Sequence, residues 1–176
     1  MIFILKYFHN KIAFFSYKLE YNANMFDRFD KAILLAVQKN GRITNVELAG
    51  LLNLSESACL RRVKALEEQG LIEKYVALLN QKELGLGGTV FVQITLKREV
   101  KSELAAFEKE IQKIPEVTDC YLMTGEFDYL LRIVISDMAD FERIHNDSLT
   151  RLPGVARVNS SVAIRTITKT TELPLT

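Results

Sequence analysis

Two cysteines, two histidines and three prolines are all that 176 residues hold of those types, and there is no tryptophan. Each scarcity closes off some chemistry. Cys59 and Cys120 cannot build a disulfide framework, and with His9 and His145 they offer no ligand-spaced set for zinc. They read as small buried apolar groups in a reducing cytoplasm. Neither sign of charge dominates, with 23 Lys and Arg against 22 Asp and Glu. A wholesale polycation is therefore excluded, and any surface for nucleic acid has to be local. Long apolar runs are missing as well. In the opening segment MIFILKYFHNKIAFFSYKLEYNAN, the residues Lys6, His9, Asn10 and Lys11 break the stretch far short of the ~20 residues of a spanning helix. No small-residue cleavage site follows for a secretion signal, and no membrane partner is expected.

What is abundant is apolar side chains, at 48%, beside 26% charged residues. That balance fills one large core or two small ones and excludes a disordered or collagen-like chain. Residues 1–24 do not match the rest and read as an extension outside the folded unit, as if from a start assigned too early. The alternative is a helix, with Phe8, Ile12, Phe15 and Leu19 on one face. Without the extension the net charge falls from +1 to −1, so no surface for nucleic acid could rest on overall charge.

Residues 25–72 have the pattern of a helix-turn-helix domain. A first helix runs from about Asp27, its N-cap, to Lys39, with Phe29, Ile33, Leu34 and Val37 inward. Asn40-Gly41 is expected to end it in the left-handed conformation. Thr44-Asn45-Val46-Glu47 has the form of a capping box and opens a second helix, with Leu48, Leu51 and Leu52 inward. After the turn Asn53-Leu54, Ser55 caps a third helix that stops at Gly70. On that helix Cys59, Val63 and Leu66 share the inner stripe. Ser57, Leu60, Arg61 and Lys64 lie opposite, with Arg62 on the flank. The second helix of such a pair enters the major groove, where Ser and Arg reach base edges and Arg and Lys hold phosphates. The candidate DNA-binding residues are Thr44, Ser55, Ser57, Leu60, Arg61, Arg62 and Lys64. A solvated basic face is the plainer alternative for the cations alone. Residues 73–87 are expected to hold a wing or hinge strand, Ile72–Leu79, and a flexible joint at Gly85, Gly87 and Gly88.

Residues 88–167 alternate and then turn periodic in the order βαββαβ, that of a ferredoxin-like domain. Val90, Val92, Ile94 and Leu96 face one way from the first strand. A helix from about Val100 to Ile114 buries Leu104, Phe107, Ile111 and Ile114. Strands Val117–Thr124 and Tyr129–Ser136 flank the turn Gly125-Glu126-Phe127-Asp128. A second helix covers about Met138 to Leu152, with Phe141, Ile144 and Leu152 inward, and the last strand runs from about Val155 to Thr166. Ile114-Pro115-Glu116-Val117 and Leu152-Pro153-Gly154-Val155 echo one another between helix and strand. One sheet face stays open, with Phe91 and Tyr121 on it, and calls for a homodimer partner. Residues 168–176 form a tail. No catalytic group is expected: His145 stands alone, and Gly85, Gly87 and Gly88 do not open a helix as a phosphate cradle would. Asp119, Glu126 and Asp128 are too few for a metal.

The fold class is thus α+β, a winged helix-turn-helix followed by a ferredoxin-like domain. Leu54-Ser55-x-Ser57 leading into Arg62-Val63-x-x-Leu66-Glu67-x-x-Gly70-Leu71-Ile72, then Thr124-Gly125-Glu126-Phe127-Asp128-Tyr129, Arg151-Leu152-Pro153-Gly154-Val155 and Val158-x-Ser160-Ser161, resemble the Lrp/AsnC family of transcription regulators. The closing Thr170-Thr171-Glu172-Leu173-Pro174-Leu175 is similar to tails in that family. The resemblance implies double-stranded DNA as partner and a homodimer assembling to an octamer. It also implies a small-molecule effector, usually an amino acid, bound between dimers, and no cofactor. Carried over by position, the effector residues are Thr124, Gly125, Asp128 and Tyr129, with Ser160 and Ser161. The turn's backbone N–H groups suit a carboxylate and Asp128 suits an ammonium group, although Asp128 could equally cap its own backbone. Met123 and Phe127 lean toward leucine or methionine. Ala65 departs from the basic residue common there, and Glu56 sits near the start of the third helix. An enzyme on the same architecture, such as a sirohaem decarboxylase, is the alternative, for which only His145 could face a tetrapyrrole.

Overall fold

The computed structural model describes residues 27–175. The expectations for residues 1–24 and for a domain opening at Met25 lie outside the described residues. The rest falls into two compact units, one of residues 27–77 with 170–175 and the other of residues 78–169. Among the described residues no helix is long and apolar enough to cross a membrane.

The first unit is three helices, α1 (Arg28–Lys39), α2 (Asn45–Leu52) and α3 (Glu56–Glu68). Each start is held by a side chain. Asp27 accepts from the backbone N–H groups of Phe29 and Asp30, Thr44 from that of Glu47, and Ser55 from that of Ala58. Such caps satisfy orphan donors of the first turn, each stabilising the helix by roughly 1 kcal/mol. Gly70, at φ +72°, ends α3: its N–H bonds the Glu67 carbonyl, and the Leu71 N–H reaches back to Leu66. The end of α1 differs from expectation. Asn40 is extended at φ −141°, its side-chain oxygen accepting from the Arg42 N–H. It is Asn53, after α2, that is left-handed at φ 51°. Asn40 has its own side chain to close the turn, whereas Asn53 must reverse the chain within two residues.

Ile33, Leu34, Leu48, Ala49, Cys59, Val63 and Leu66 form the buried core of this unit. Leu51, expected inward, is exposed, and Leu52 is only partly covered. Leu175 of the tail packs on the same core, so the tail belongs to this unit. No strand forms over residues 73–80. Tyr75, Val76, Leu78 and Leu79 are exposed there, because a lone extended segment has no ladder to join.

The second unit is a four-stranded antiparallel sheet in the order β2-β3-β1-β4, made of β1 (Gly88–Leu96), β2 (Val117–Leu122), β3 (Tyr129–Ile135) and β4 (Val155–Val162). Helices α4 (Lys101–Ile111) and α5 (Met138–Asp147) complete the βαββαβ order. Val90, Val92, Ile94 and Leu96 pack with Leu131, Ile133, Ile135, Phe107, Ile111 and Ile144 in one core. The second helix stops early: Ser148 leaves helical geometry and a short 3-10 turn, Leu149–Arg151, follows. That break swings Leu149 into full burial, which a continuous helical period did not foretell. The echoing Pro segments make the same turn, Val117 N–H to the Ile114 carbonyl and Val155 N–H to that of Leu152.

The expected flexible joint is instead a bonded turn. Asn80 Oδ1 accepts from the N–H groups of Lys82 and Glu83, and Gln81 Nε2 donates to the Gly88 carbonyl. Gly88 is needed for close packing, since a Cβ there would lie 2.4 Å from Ile135 Cγ1.

Candidate nucleic-acid interface and effector turn

Helix α3 separates its faces by its period. Cys59, Val63 and Leu66 are buried, while Ser57, Leu60, Arg61 and Lys64 are exposed. At positions 57, 60, 61 and 64 these four follow the i, i+3, i+4, i+7 spacing of one helix surface. Thr44 and Ser55 are also exposed but occupied. Thr44 Oγ1 accepts from the Glu47 N–H and donates to the Glu47 carboxylate at 2.9 Å, and Ser55 Oγ holds the Ala58 N–H and sits 3.3 Å from Ser57 Oγ. Their role in the described residues is to start helices. The exposed Arg42, in the turn before α2, is a cation that motif spacing did not single out.

Arg62, expected on the flank and counted among the DNA-binding residues, is engaged by α1 instead. Its guanidinium is tied to Asp30 Oδ1 at 2.7 Å and to Asp27 Oδ2 at 2.9 Å, and lies 5.3 Å from the centre of the Phe29 ring. The first-turn backbone bonds of α1, above all that to Asp30, hold the Asp27 carboxyl below its ordinary range, with Arg62 adding to the effect. Arg61 and Lys64 have no ionic partner among the described residues.

In the sheet domain, the turn after β2 leaves Thr124 and Gly125 exposed. Gly125 has φ +144°, a backbone that side-chain-bearing residues avoid. The residues Asp128 and Tyr129 of the same motif are turned inward. Asp128 is 7% exposed, its carboxylate accepting from the Leu96 N–H at 2.7 Å. Tyr129 is buried, stacked on Phe107 with ring centroids 4.4 Å apart, and its hydroxyl donates to Glu108. The idea of Asp128 gripping an ammonium group, with Tyr129 beside it, therefore meets two side chains already used by the fold. Glu108, the partner of Tyr129, carried no motif that would have marked it.

Ser160 and Ser161 stand on the edge strand β4, in register with Val92 and Phe91. Alternation sends them to opposite sheet faces, Ser161 to the open face and Ser160 to the helix side. Within one chain, the register sets them at the level of Leu131 and Arg132 rather than of the turn. On the open face Phe91, Tyr121, Leu130 and Arg132 line a shallow depression of about 130 Å³, where the Arg132 guanidinium pairs with Asp119.

Comparison with known proteins brings the two units under one heading. A profile described as winged helix-turn-helix DNA-binding matches residues 26–73, and one described as Lrp/AsnC ligand binding domain matches residues 89–173. The leucine-responsive regulatory proteins of Klebsiella pneumoniae and Escherichia coli (strain K12) are each 41% identical over 147 residues, covering 84% of this chain and 90% of theirs. The chain belongs to the Lrp/AsnC family.

Solved structures agree with that placement. A Neisseria meningitidis transcriptional regulator in complex with L-Met is 40% identical with a TM-score of 0.81, over 85% of this chain and 96% of that one. An AsnC family regulator from Agrobacterium tumefaciens is 34% identical with the same TM-score, over 85% and 97%. These Lrp/AsnC relatives are regulators by name, not enzymes, and a DNA-binding regulator with a ligand-binding domain is what this chain is. Ala65, partly buried on α3, adds no cation to the exposed face, and the exposed Glu56 occupies the first turn of α3, where a helix N-terminus favours negative charge.

Proposed function

We propose that this Lrp/AsnC protein acts in the cytoplasm on double-stranded DNA through Ser57, Leu60, Arg61 and Lys64, and that a free amino acid, leucine or methionine, modulates it. The observation carrying the DNA reading is the exposed spacing of those four residues on α3, with both cations free of ionic partners among the described residues. The effector site is the Thr124–Gly125 turn, whose exposed backbone suits a carboxylate. The ammonium group is held by residues other than Asp128, at a junction between dimers to which Ser160 and Ser161 contribute from a second copy. Leucine and methionine are favoured by the names of the relatives and by Met123 and Phe127 beside the turn. The open sheet face pairs two chains through Phe91, Tyr121 and Leu130, and the dimers assemble further to an octamer. Near-neutral charge makes each module weak, so affinity comes from several used together.

Fluorescence anisotropy on a duplex selected from a random pool tests the DNA reading: affinity falls steeply as salt rises. Affinity that ignores salt would sink it. Thermal shift against the twenty amino acids tests the effector. A ligand at 100 times its dissociation constant adds about 2.7 kcal/mol, and silence with both leucine and methionine removes that assignment.

A further inference from the structure

We propose that Arg62 is a positioning residue, which clamps the recognition helix α3 onto the start of α1 and does not contact DNA. The inference rests on the reading of α3 as the DNA-facing helix. Arg62 sits next to Arg61 in sequence, yet its surroundings are different. Its two terminal nitrogens are divided between two carboxylates, Asp30 at 2.7 Å and Asp27 at 2.9 Å. Those carboxylates are themselves fixed. Asp27 Oδ1 accepts from the Phe29 and Asp30 N–H groups, and Asp30 Oδ2 accepts from the Asp27 N–H at 3.1 Å. The capping box that starts α1 is thus also the seat of a guanidinium from α3.

The Phe29 ring closes the seat, 5.3 Å from Arg62 Cζ, a distance at which ring and cation attract. Asp30 and Arg62 are partly buried, at 17% and 28% side-chain exposure, so the pair is better shielded than a surface bridge. Turning Arg62 toward a phosphate would break both charge-assisted bonds and leave two carboxylates beside a polyanion. As it stands, Arg62 pins α3 against rotation about its own axis. That rotation decides whether Ser57, Leu60, Arg61 and Lys64 meet the groove together.

The two roles give opposite signs for one substitution. If Arg62 only positions α3, Asp30→Asn loosens the clamp and weakens DNA binding, although it deletes a negative charge near DNA. If Arg62 contacts phosphate, the same change frees it and tightens binding. The asparagine oxygen can still accept from the Asp27 N–H, so the cap of α1 survives.

The full-length protein and the selected fluorescent duplex are used, with circular dichroism confirming that each variant is folded at the temperature of titration. Arg62→Ala and Asp30→Asn are expected to weaken binding about tenfold, and Arg62→Lys to restore part of it. In all three the slope of log affinity against log salt stays at the wild-type value. Arg61→Ala and Lys64→Ala instead flatten that slope by about 0.9 for each phosphate that is no longer neutralised. Tighter binding by Asp30→Asn, a flattened slope in Arg62→Ala, or unchanged affinity in both would overturn the proposal. Should Arg62→Ala not fold, Arg62→Lys and Asp30→Asn carry the test. Unchanged slopes in Arg61→Ala and Lys64→Ala would count against the DNA-facing reading of α3, a result separable from those of Arg62 and Asp30.

Discussion

The Asp128 carboxylate accepts the Leu96 N–H at 2.7 Å, at the point where β1 shifts its register with β4. The Asp128 N–H meanwhile donates to the Ile94 carbonyl at 2.9 Å. Asp128 therefore extends the ladder of β3 by one residue, its side chain standing in for the strand carbonyl that Leu96 lacks.

Asp128→Ala leaves that N–H unpaired in a buried place and is expected to cost about 1–3 kcal/mol in denaturant unfolding. Asp128→Asn keeps an oxygen acceptor and should cost less. Its affinity for leucine or methionine, by calorimetry, is expected to match wild type. A tenfold loss in a fully folded Asn variant would return Asp128 to the role of ammonium holder.

The same residue shows where sequence reading runs out. The caps Asp27, Thr44 and Ser55, the Gly70 stop and the alternation of β1 were legible because each depends on neighbours within a few residues. So were the exposed face of α3 and the βαββαβ order of elements along the chain. The partners of Asp128, Tyr129 and Arg62 lie 21 to 35 residues away, and no local period encodes whether a motif carboxylate turns toward a ligand or a neighbouring strand. The expected strand Ile72–Leu79 failed for another reason: a strand is a property of two paired segments, and among the described residues no second segment pairs with it.

Gly125 should carry a side chain only under backbone strain. At φ +144° any L-residue is strained by roughly 1–3 kcal/mol, although no atom lies within 4 Å of a Cβ placed there. Gly125→Ala is expected to reshape the turn rather than create a clash. The fold should survive with a small loss in melting temperature while leucine and methionine binding falls. Wild-type affinity in that variant would move the effector site away from the turn.

Alkaline pH should weaken the sheet domain through two groups near Glu108. Burial first, then the hydrogen bond to Glu108 and its charge, push the Tyr129 phenol well above its ordinary value of 10. Cys120 is exposed on β2, contrary to its expected burial, yet desolvation of its thiol on the protein side, then the Glu108 charge, pushes it up from 9 to about 11. The folded chain keeps protons that the unfolded chain has already released, so stability falls as pH rises past about 9. Unfolding free energy from denaturant titrations at pH 8 and 10.5 should show the drop. Tyr129→Phe should be less stable at pH 8, by about 1 kcal/mol for the lost bond, yet less sensitive to the rise. Equal sensitivity in that variant would exclude Tyr129 as a source.

The tail should stabilise the helix-turn-helix unit and not the sheet. The Leu173 N–H donates to Gln38 Oε1, and Gln38 Nε2 returns a bond to the Leu173 carbonyl at 3.4 Å. These bonds hold the tail where Leu175 packs on the core of the helix-turn-helix unit. Leu175 is only partly covered, so its burial contributes less than the roughly 1.5–3 kcal/mol of a fully buried leucine. Leu175→Ala is expected to cost about 1 kcal/mol, and Gln38→Ala a similar amount through the two lost bonds. Because residue 175 and Gln38 act in series, the double variant should cost less than the sum of the two. Hydrogen exchange locates the effect: amides of α1 and α2 should exchange faster in either variant, while those of β1 and β3 keep wild-type protection. Faster exchange in the sheet, or none in α1, would show that the tail does not serve the helical core.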